Sequence, residues 1–340
     1  MNTRQSIQWQ FSEVESPHLE RPVPVAAAKD VPYVAGGNRF QTLNIYVPRS
    51  LAGRAGVPFP GGSPSSKAPR YLVHVHGGAW RDPFLHASSI EATVAHAFHD
   101  FDESSPIDAV VSLDYTLTQF PTHPANPYDA TKDRPADRAR EAVHPDHVHD
   151  VLRGLALLRS LGLSDGSYIL SGHSCGACIA FQAALQPPDC YGLVDVPELP
   201  RPAALIGLNG LYDLPALVHE LGAAHELLAP DYRIMLSNAF GPDESAWSAA
   251  SPALFDRARI AERVRNGKAP GLVVLEQSAD DQLVPMTQRE RMGRLLDKVD
   301  GLELVVGDRC TGKHAEPWQK GLMIWTTVRD AVALCAGTPA

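Results

Sequence analysis

The chain is expected to fold as an α/β domain, with a mostly parallel central sheet, helices on both faces and a small insertion. Three observations lead there. Seven short apolar runs, at 42–47, 71–76, 109–113, 168–171, 203–208, 271–276 and 302–306, recur with helical or loop segments between them, which is the alternation of a parallel sheet. The runs Val73-His74-Val75, Ala109-Val110-Val111 and Val273-Val274-Leu275 are almost continuously apolar, as strands covered by helices on both faces must be. Two glycine-bearing motifs each follow directly on one of these runs.

The 340 residues, 44% hydrophobic, are enough to bury a substantial core in one large domain or two smaller ones. We take 39–340 as one domain, preceded by an N-terminal arm over 1–38. The arm is polar up to Pro32 and broken by Pro17, Pro22 and Pro24, and it lacks the apolar core that a signal peptide carries behind a basic start. Residues 51–69 are rich in Gly, Pro and Ser and read as a surface loop. The stretch 90–101 suits an amphipathic helix. So does 144–161, where Val148, Val151, Leu152, Leu155, Leu158 and Leu161 recur at helical spacing. Between these two, 116–143 is polar and punctuated by prolines, and Asp114-Tyr115 with Leu117 ends the preceding strand where it would shape the loop under a site. Residues 212–255 form an insertion between two expected strands, the place for a lid or pocket wall. A helix over 318–334 closes the chain. No internal repeat or low-complexity tract is present.

The strand at 168–171 runs into Gly172-His173-Ser174-Cys175-Gly176 and then into the helix-forming stretch 177–185. G-x-S-x-G between strand and helix is a nucleophile elbow, whose glycines keep the tight turn free of side chains that would strike the adjoining elements. The strand at 71–76 likewise empties into His76-Gly77-Gly78-Ala79-Trp80, an H-G-G element of the kind that supplies oxyanion-hole amides. A serine hydroxyl needs a base, and the base a carboxylate to orient it. In this architecture they follow in the order acid, then histidine. Asp281, in Asp280-Asp281-Gln282-Leu283-Val284-Pro285 just beyond a strand, fits the acid through its D-x-x-V-P context, with Asp280 as the neighbouring alternative. Of fourteen histidines, His314 alone lies in the loop between the last strand and the last helix, where the base belongs. Ser174 would attack an acyl carbonyl, His314 would carry the proton, Asp281 would fix the imidazole tautomer, and the amides of Gly77, Gly78 and Cys175 would hold the oxyanion. Trp80 and Tyr212 are candidate substrate contacts, Trp80 being as well explained by simple packing.

The net charge of −9 without any concentrated Lys/Arg block argues against nucleic acid or an anionic membrane as partner. No run approaches the roughly eighteen apolar residues of a membrane span. Five scattered cysteines suit reduced thiols in the cytoplasm rather than a disulfide framework. Cys175 and Cys178 form C-x-x-C, but Cys175 already belongs to the elbow. His144, His147 and His149 with Asp146 and Asp150 could suggest a metal site, yet they alternate through a helix start where aspartate is favoured for capping, so no metal and no cofactor are expected.

The elbow, the H-G-G-A-W loop with Arg81-Asp82-Pro83, His144-Pro145-Asp146-His147-Val148 with Asp150-Val151, Ser171 to Ala177 and the regions of Asp281 and His314 together resemble the α/β-hydrolase superfamily of the hormone-sensitive-lipase-like type. Within it they resemble fungal kynurenine formamidases (arylformamidases), over roughly residues 39–335. The resemblance implies an α/β-hydrolase fold and metal-independent cleavage of N-formyl-L-kynurenine to kynurenine and formate in tryptophan degradation. A carboxylesterase acting on short acyl esters would use the same residues, whereas a non-catalytic ligand-binding homologue would be expected to lack a triad member. The expected partner is a small aryl formamide or ester, and a homodimer is left open.

Overall fold

The computed structural model describes residues 7–52, 69–102 and 104–337. The surface loop expected at 51–69 and the first six residues of the arm lie almost wholly outside these. Nine strands form one sheet: β1 (Gln10–Val14), β2 (Val23–Pro32), β3 (Thr42–Pro48), β4 (Tyr71–Val75), β5 (Ala109–Leu113), β6 (Tyr168–His173), β7 (Ala204–Leu208), β8 (Leu272–Glu276) and β9 (Glu303–Gly307). Their order is β1-β2-β3-β5-β4-β6-β7-β8-β9. Pairings from β5 onward are parallel, while β1, β2 and β3 join by antiparallel pairing.

All seven apolar runs are strands. The two strands not foreseen, β1 and β2, lie in the segment read as an arm. Strand β1 is a sheet edge with one face wet, while β2 is largely buried through Val23, Val25, Ala26, Ala27, Ala28 and Val31; Pro24 near its start, opposite Glu13, sits where the lost donor is tolerated. The β2–β3 register slips between Ala28 and Val31, with Asp30 at φ 53° and its N–H bonded to Asn44 Oδ1 at 2.9 Å, a bulge that bends the strand.

The helices are α1 (Glu91–Phe98), α2 (Asp146–Ser160), α3 (Cys175–Leu185), α4 (Ala216–His219), α5 (Ala229–Phe240), α6 (Glu244–Ala250), α7 (Arg257–Arg265), α8 (Thr287–Leu296), α9 (Glu316–Lys320) and α10 (Leu322–Cys335). The expected terminal helix is split into α9 and α10 by Gly321 at φ 73°, where a Cβ would overlap the backbone of Ala92 in α1. The insertion is helical, carrying α4, α5 and α6. Alternate strand residues feed two apolar layers. Val73, Val75, Leu170, Leu205 and Val273 pack with α2, α3 and the insertion, whereas Leu72, Val110, Ile169, Ile206 and Val274 pack with α1 and α10. Helix α3 is buried along all of its length, and its small residues Ala177, Cys178 and Ala180 let it lie close to the sheet.

The order β5-β4-β6 sends the chain to one side after β4 and to the other by β6. The loop after β4 and the turn after β6 therefore diverge and leave a crevice at the carboxyl edge of the sheet, the usual ligand position in such folds. Both glycine-bearing motifs emerge there. Among the described residues, no helix is long and apolar enough to cross a membrane.

Candidate active site

Strand β6 passes into α3 through Ser174 alone, at φ 56° and ψ −125°. Its N–H is held by Leu208 O of β7 at 3.0 Å, and its own carbonyl accepts from Ala177 N–H at 3.1 Å. The flanking glycines are sterically required: a Cβ on Gly172 would overlap the carbonyl of Gly176, and one on Gly176 the carbonyls of Val75 and His76. Of the five non-glycine residues with positive φ among those described, Ala79, Trp80, Ser174 and Asn209 all lie on the loops of this crevice. Backbone strain is thus stored at the site, as is common where function demands a fixed geometry.

Asp281 and His314 are brought together. Asp281 Oδ2 lies 2.7 Å from His314 Nδ1, and its Oδ1 accepts N–H bonds from Leu283 and Val284, both 2.9 Å. Gln277 Nε2 approaches Oδ2 at 3.3 Å while donating to Val284 O at 3.0 Å. The Asp281 carboxylate is buried, whereas Asp280 is exposed. Since a carboxylate only accepts, His314 Nδ1 carries the proton and Nε2 is left as the base. Ser174 is 7% and His314 8% exposed, enough for access from the crevice.

The glycine loop packs directly on the elbow: a Cβ on Gly77 would stand 3.2 Å from Ser174 Cβ and 2.9 Å from His173 Nδ1. Gly78 takes φ 105°. Beneath the loop, Tyr115 OH donates within reach of His76 O at 3.2 Å and Gly77 O at 3.0 Å and touches Cys175 Sγ at 3.4 Å. The same sulfur accepts from Trp80 N–H at 3.3 Å. His76 donates from Nδ1 to Gly77 O at 2.7 Å and stacks on Tyr115 with centroids 4.6 Å apart. Its Nε2 is 3.1 Å from Asp114 Oδ1 but off the line of a hydrogen bond. The loop is therefore tied to the first residue of α3 by a buried sulfur and a phenol. Burial pushes the Cys175 thiol up to about 11, so it stays a neutral thiol, and Cys178 is pushed up for the same reason. Neither suits redox exchange, which needs an accessible thiolate.

His173, the variable residue before the serine, has a second tie. Its Nε2 donates to His314 O at 2.8 Å, the two rings lying 4.7 Å apart, while Nδ1 is buried without a partner. Desolvation and the neighbouring His314 hold its pKa well below the ordinary histidine value. Asn209 Nδ2 reaches the same carbonyl at 3.4 Å, and His314 N–H bonds Gln282 Oε1 at 3.0 Å. Nothing in sequence spacing marks His173, Gln282 or Asn209, because each acts through a loop distant along the chain, and Gln277 reaches Asp281 only through the fold of its own loop. Tyr115 was foreseen only as loop-shaping.

Trp80 and Tyr212 are each 1% exposed. Trp80 packs edge-on against Phe240 of α5 with centroids 5.0 Å apart. Tyr212 packs on Phe181 at 5.0 Å, and its hydroxyl is buried without a partner against Gly207 and Gly210. The histidines at the start of α2 are each committed separately: His147 Nε2 to Thr118 Oγ1 at 3.0 Å, His149 Nε2 to Tyr191 O at 2.7 Å, His144 against Tyr191 and Phe240. Asp150 accepts from Thr116 N–H and Gln41 Nε2. Among the described residues no group of three or more His, Cys, Asp or Glu is arranged to hold a metal ion.

Comparison with known proteins follows the same lines. The chain is 30% identical over 309 residues to a kynurenine formamidase-like hydrolase of Fusarium equiseti, covering 89% of this chain and 93% of that one. It is 29% identical to a kynurenine formamidase of Aspergillus versicolor, covering 74% and 85%. Esterase B of Lactobacillus rhamnosis superposes with a TM-score of 0.61 at 15% identity, over 92% of this chain and 86% of that one, a likeness of fold and an α/β-hydrolase one. No protein-family model matches the chain.

Proposed function

The chain belongs to the kynurenine formamidase-like hydrolases of the α/β-hydrolase fold, and from that membership we propose that it hydrolyses the formamide of N-formyl-L-kynurenine to L-kynurenine and formate. The observation that carries the mechanism is the 2.7 Å pair between buried Asp281 and His314 on the rim that holds the Ser174 elbow.

Ser174 Oγ attacks the formyl carbon as His314 Nε2 takes its proton. The developing oxyanion is held by the amides of Gly77, Gly78 and Cys175. The amino end of α3 adds its dipole, and each donor contributes on the order of 3 kcal/mol. The aryl amine is a poor leaving group until protonated, so His314 returns the proton to nitrogen as the C–N bond breaks. Water then attacks the formyl ester with His314 again as base, releasing formate and restoring Ser174. Asp281 stays ionised throughout, holding the imidazole in the required tautomer. A formyl group is the smallest acyl unit, which suits a crevice where Gly77 stands against Ser174 without room for a Cβ. No cofactor or metal takes part in these steps. We place the reaction in the cytoplasm, in keeping with five free cysteines.

The test is kynurenine release from N-formyl-L-kynurenine, with Ser174→Ala and a chelator in parallel. Turnover that vanishes in the variant and survives chelation is expected. A folded protein that leaves this substrate intact while cleaving p-nitrophenyl acetate would instead make it a carboxylesterase.

A further inference from the structure

One charged group beside the site has no ion-pair partner among the described residues. Arg81 follows Trp80, and its N–H returns to Gly78 O at 3.0 Å, so it lies one turn from the oxyanion loop, with Cα atoms within about 7 Å across such a turn. Its guanidinium lies 3.9 Å over the ring of Phe120. The Nε is buried and bonded to nothing, and among the described residues no carboxylate comes within the 4.0 Å of an ion pair. Asp82, the adjacent acid, is turned away: its Oδ1 accepts from Phe84 N–H at 2.9 Å and faces His123 Nε2 at 3.7 Å. Burial works against the charged form of Arg81, offset in part by the opposite charges of Asp231 on α5 and of Asp82, neither of them an ion-pair partner.

A guanidinium held on an aromatic face, partly desolvated and unpaired, is costly to fold. Its planar fork stays free for a bidentate acceptor. The surroundings suit an aromatic substrate with an anionic tail. Phe120, Phe84 and His123 form an aromatic wall, with His123 5.0 and 5.2 Å from the two phenylalanine rings, and Phe84 is exposed. Above, residues 225–240 bridge the acid loop and the glycine loop: His225 Nε2 bonds Asp281 O at 2.8 Å, Tyr232 OH bonds Leu283 O, and Phe240 packs on Trp80. This helical segment thus ties the loop of Asp281, the partner of His314, to the glycine loop, where Arg81 stands one turn beyond Gly78.

We propose that Arg81 binds a carboxylate on the leaving-group side of the substrate, and so selects aryl formamides that carry an amino-acid or similar anionic tail. This rests on the formamidase reading for its substrate, though not for its test. Arg81 touches no reacting atom; it is a specificity residue.

The experiment compares kcat/KM for N-formyl-L-kynurenine with that for N-formyl-2-aminoacetophenone, which has the same formanilide but no carboxylate, in the unmutated enzyme, Arg81→Gln and Arg81→Lys. The ratio of the two is expected to fall about 10- to 100-fold in Arg81→Gln, chiefly through KM, and by less in Arg81→Lys, which keeps the charge but loses the fork. An equal loss on both substrates in both variants, or an unchanged ratio, overturns the proposal. Should the enzyme hydrolyse neither formamide, the formamidase reading fails, and the same variants are compared on 4-acetoxybenzoate and 4-acetoxytoluene. A preference for the carboxylate that disappears in Arg81→Gln then upholds Arg81 alone, and no such preference refutes it.

Discussion

Replacing Asp281 with asparagine keeps the size of the side chain and inverts what it offers His314. Oδ1 accepts from two backbone amides, those of Leu283 and Val284, so the introduced amide must set its oxygen there. Its NH2 then takes the place of Oδ2, pointing at His314 Nδ1. Gln277 cannot relieve this by turning over, because its Nε2 is also bonded to Val284 O. His314 must present a bare Nδ1 to the new donor and carry its proton on Nε2, the tautomer that cannot accept the serine proton. The expected fall in kcat is about 10⁴-fold, the scale of this change in serine–histidine–aspartate enzymes, or ~5.4 kcal/mol in the barrier. The two donors facing each other at the old Oδ2 position should cost about 1–3 kcal/mol of stability besides. Single-turnover and steady-state kinetics on N-formyl-L-kynurenine, with thermal melting as control, measure both. Asp280→Asn, at an exposed neighbour, should change little. If Asp281→Asn keeps kcat within tenfold while Asp280→Asn loses it, the acid is misplaced and the reasoning from the Asp281 hydrogen bonds is wrong.

Gly77→Ala would set a methyl 2.9 Å from His173 Nδ1 and 3.2 Å from Ser174 Cβ, displacing the loop; a loss of about 10²- to 10³-fold in kcat is expected, and normal turnover would deny Gly77 its role. His173→Phe removes the donor to His314 O while filling its space. It should cost about 1–3 kcal/mol and lower kcat more than it changes KM, so an unchanged melting temperature together with unchanged kcat would count against the tie. His74, His147 and His173 are buried with pKa values held down by desolvation, the first two to about 3. The unfolded chain takes up their protons below pH ~6.5 while the native state does not, so each should remove about 1.4 kcal/mol of stability per pH unit as pH falls from there. Melting temperature measured from pH 8 to pH 4 should drop steeply below 6.5, and a flat profile would contradict these burials.

Spacing along the chain is enough to locate β3 to β9, because strands buried on both faces have no choice but continuous apolar sequence and the half-exposed edge β9 still carries Leu304, Val305 and Val306, and to mark Ser174, Asp281 and His314 as following strands at the same edge of the sheet. It is silent where the physics is shared between distant segments. Strands β1 and β2 owe their conformation to pairing, β2 with β3 and β1 with β2, so β2 can carry prolines at both ends and edge strand β1 can be largely polar. The sulfur of Cys175 gains its place only when the loop after β4 lies over α3, His173 matters only once the histidine loop stands beside it, and Gln277 only once the acid loop folds back on it. Arg81 is one more basic residue in a string of letters. What sets it apart is a guanidinium laid on Phe120 with its Nε buried and unpartnered and, among the described residues, no ion pair, and that is decided by where the glycine loop, Phe120 and the helical insertion come to rest around it.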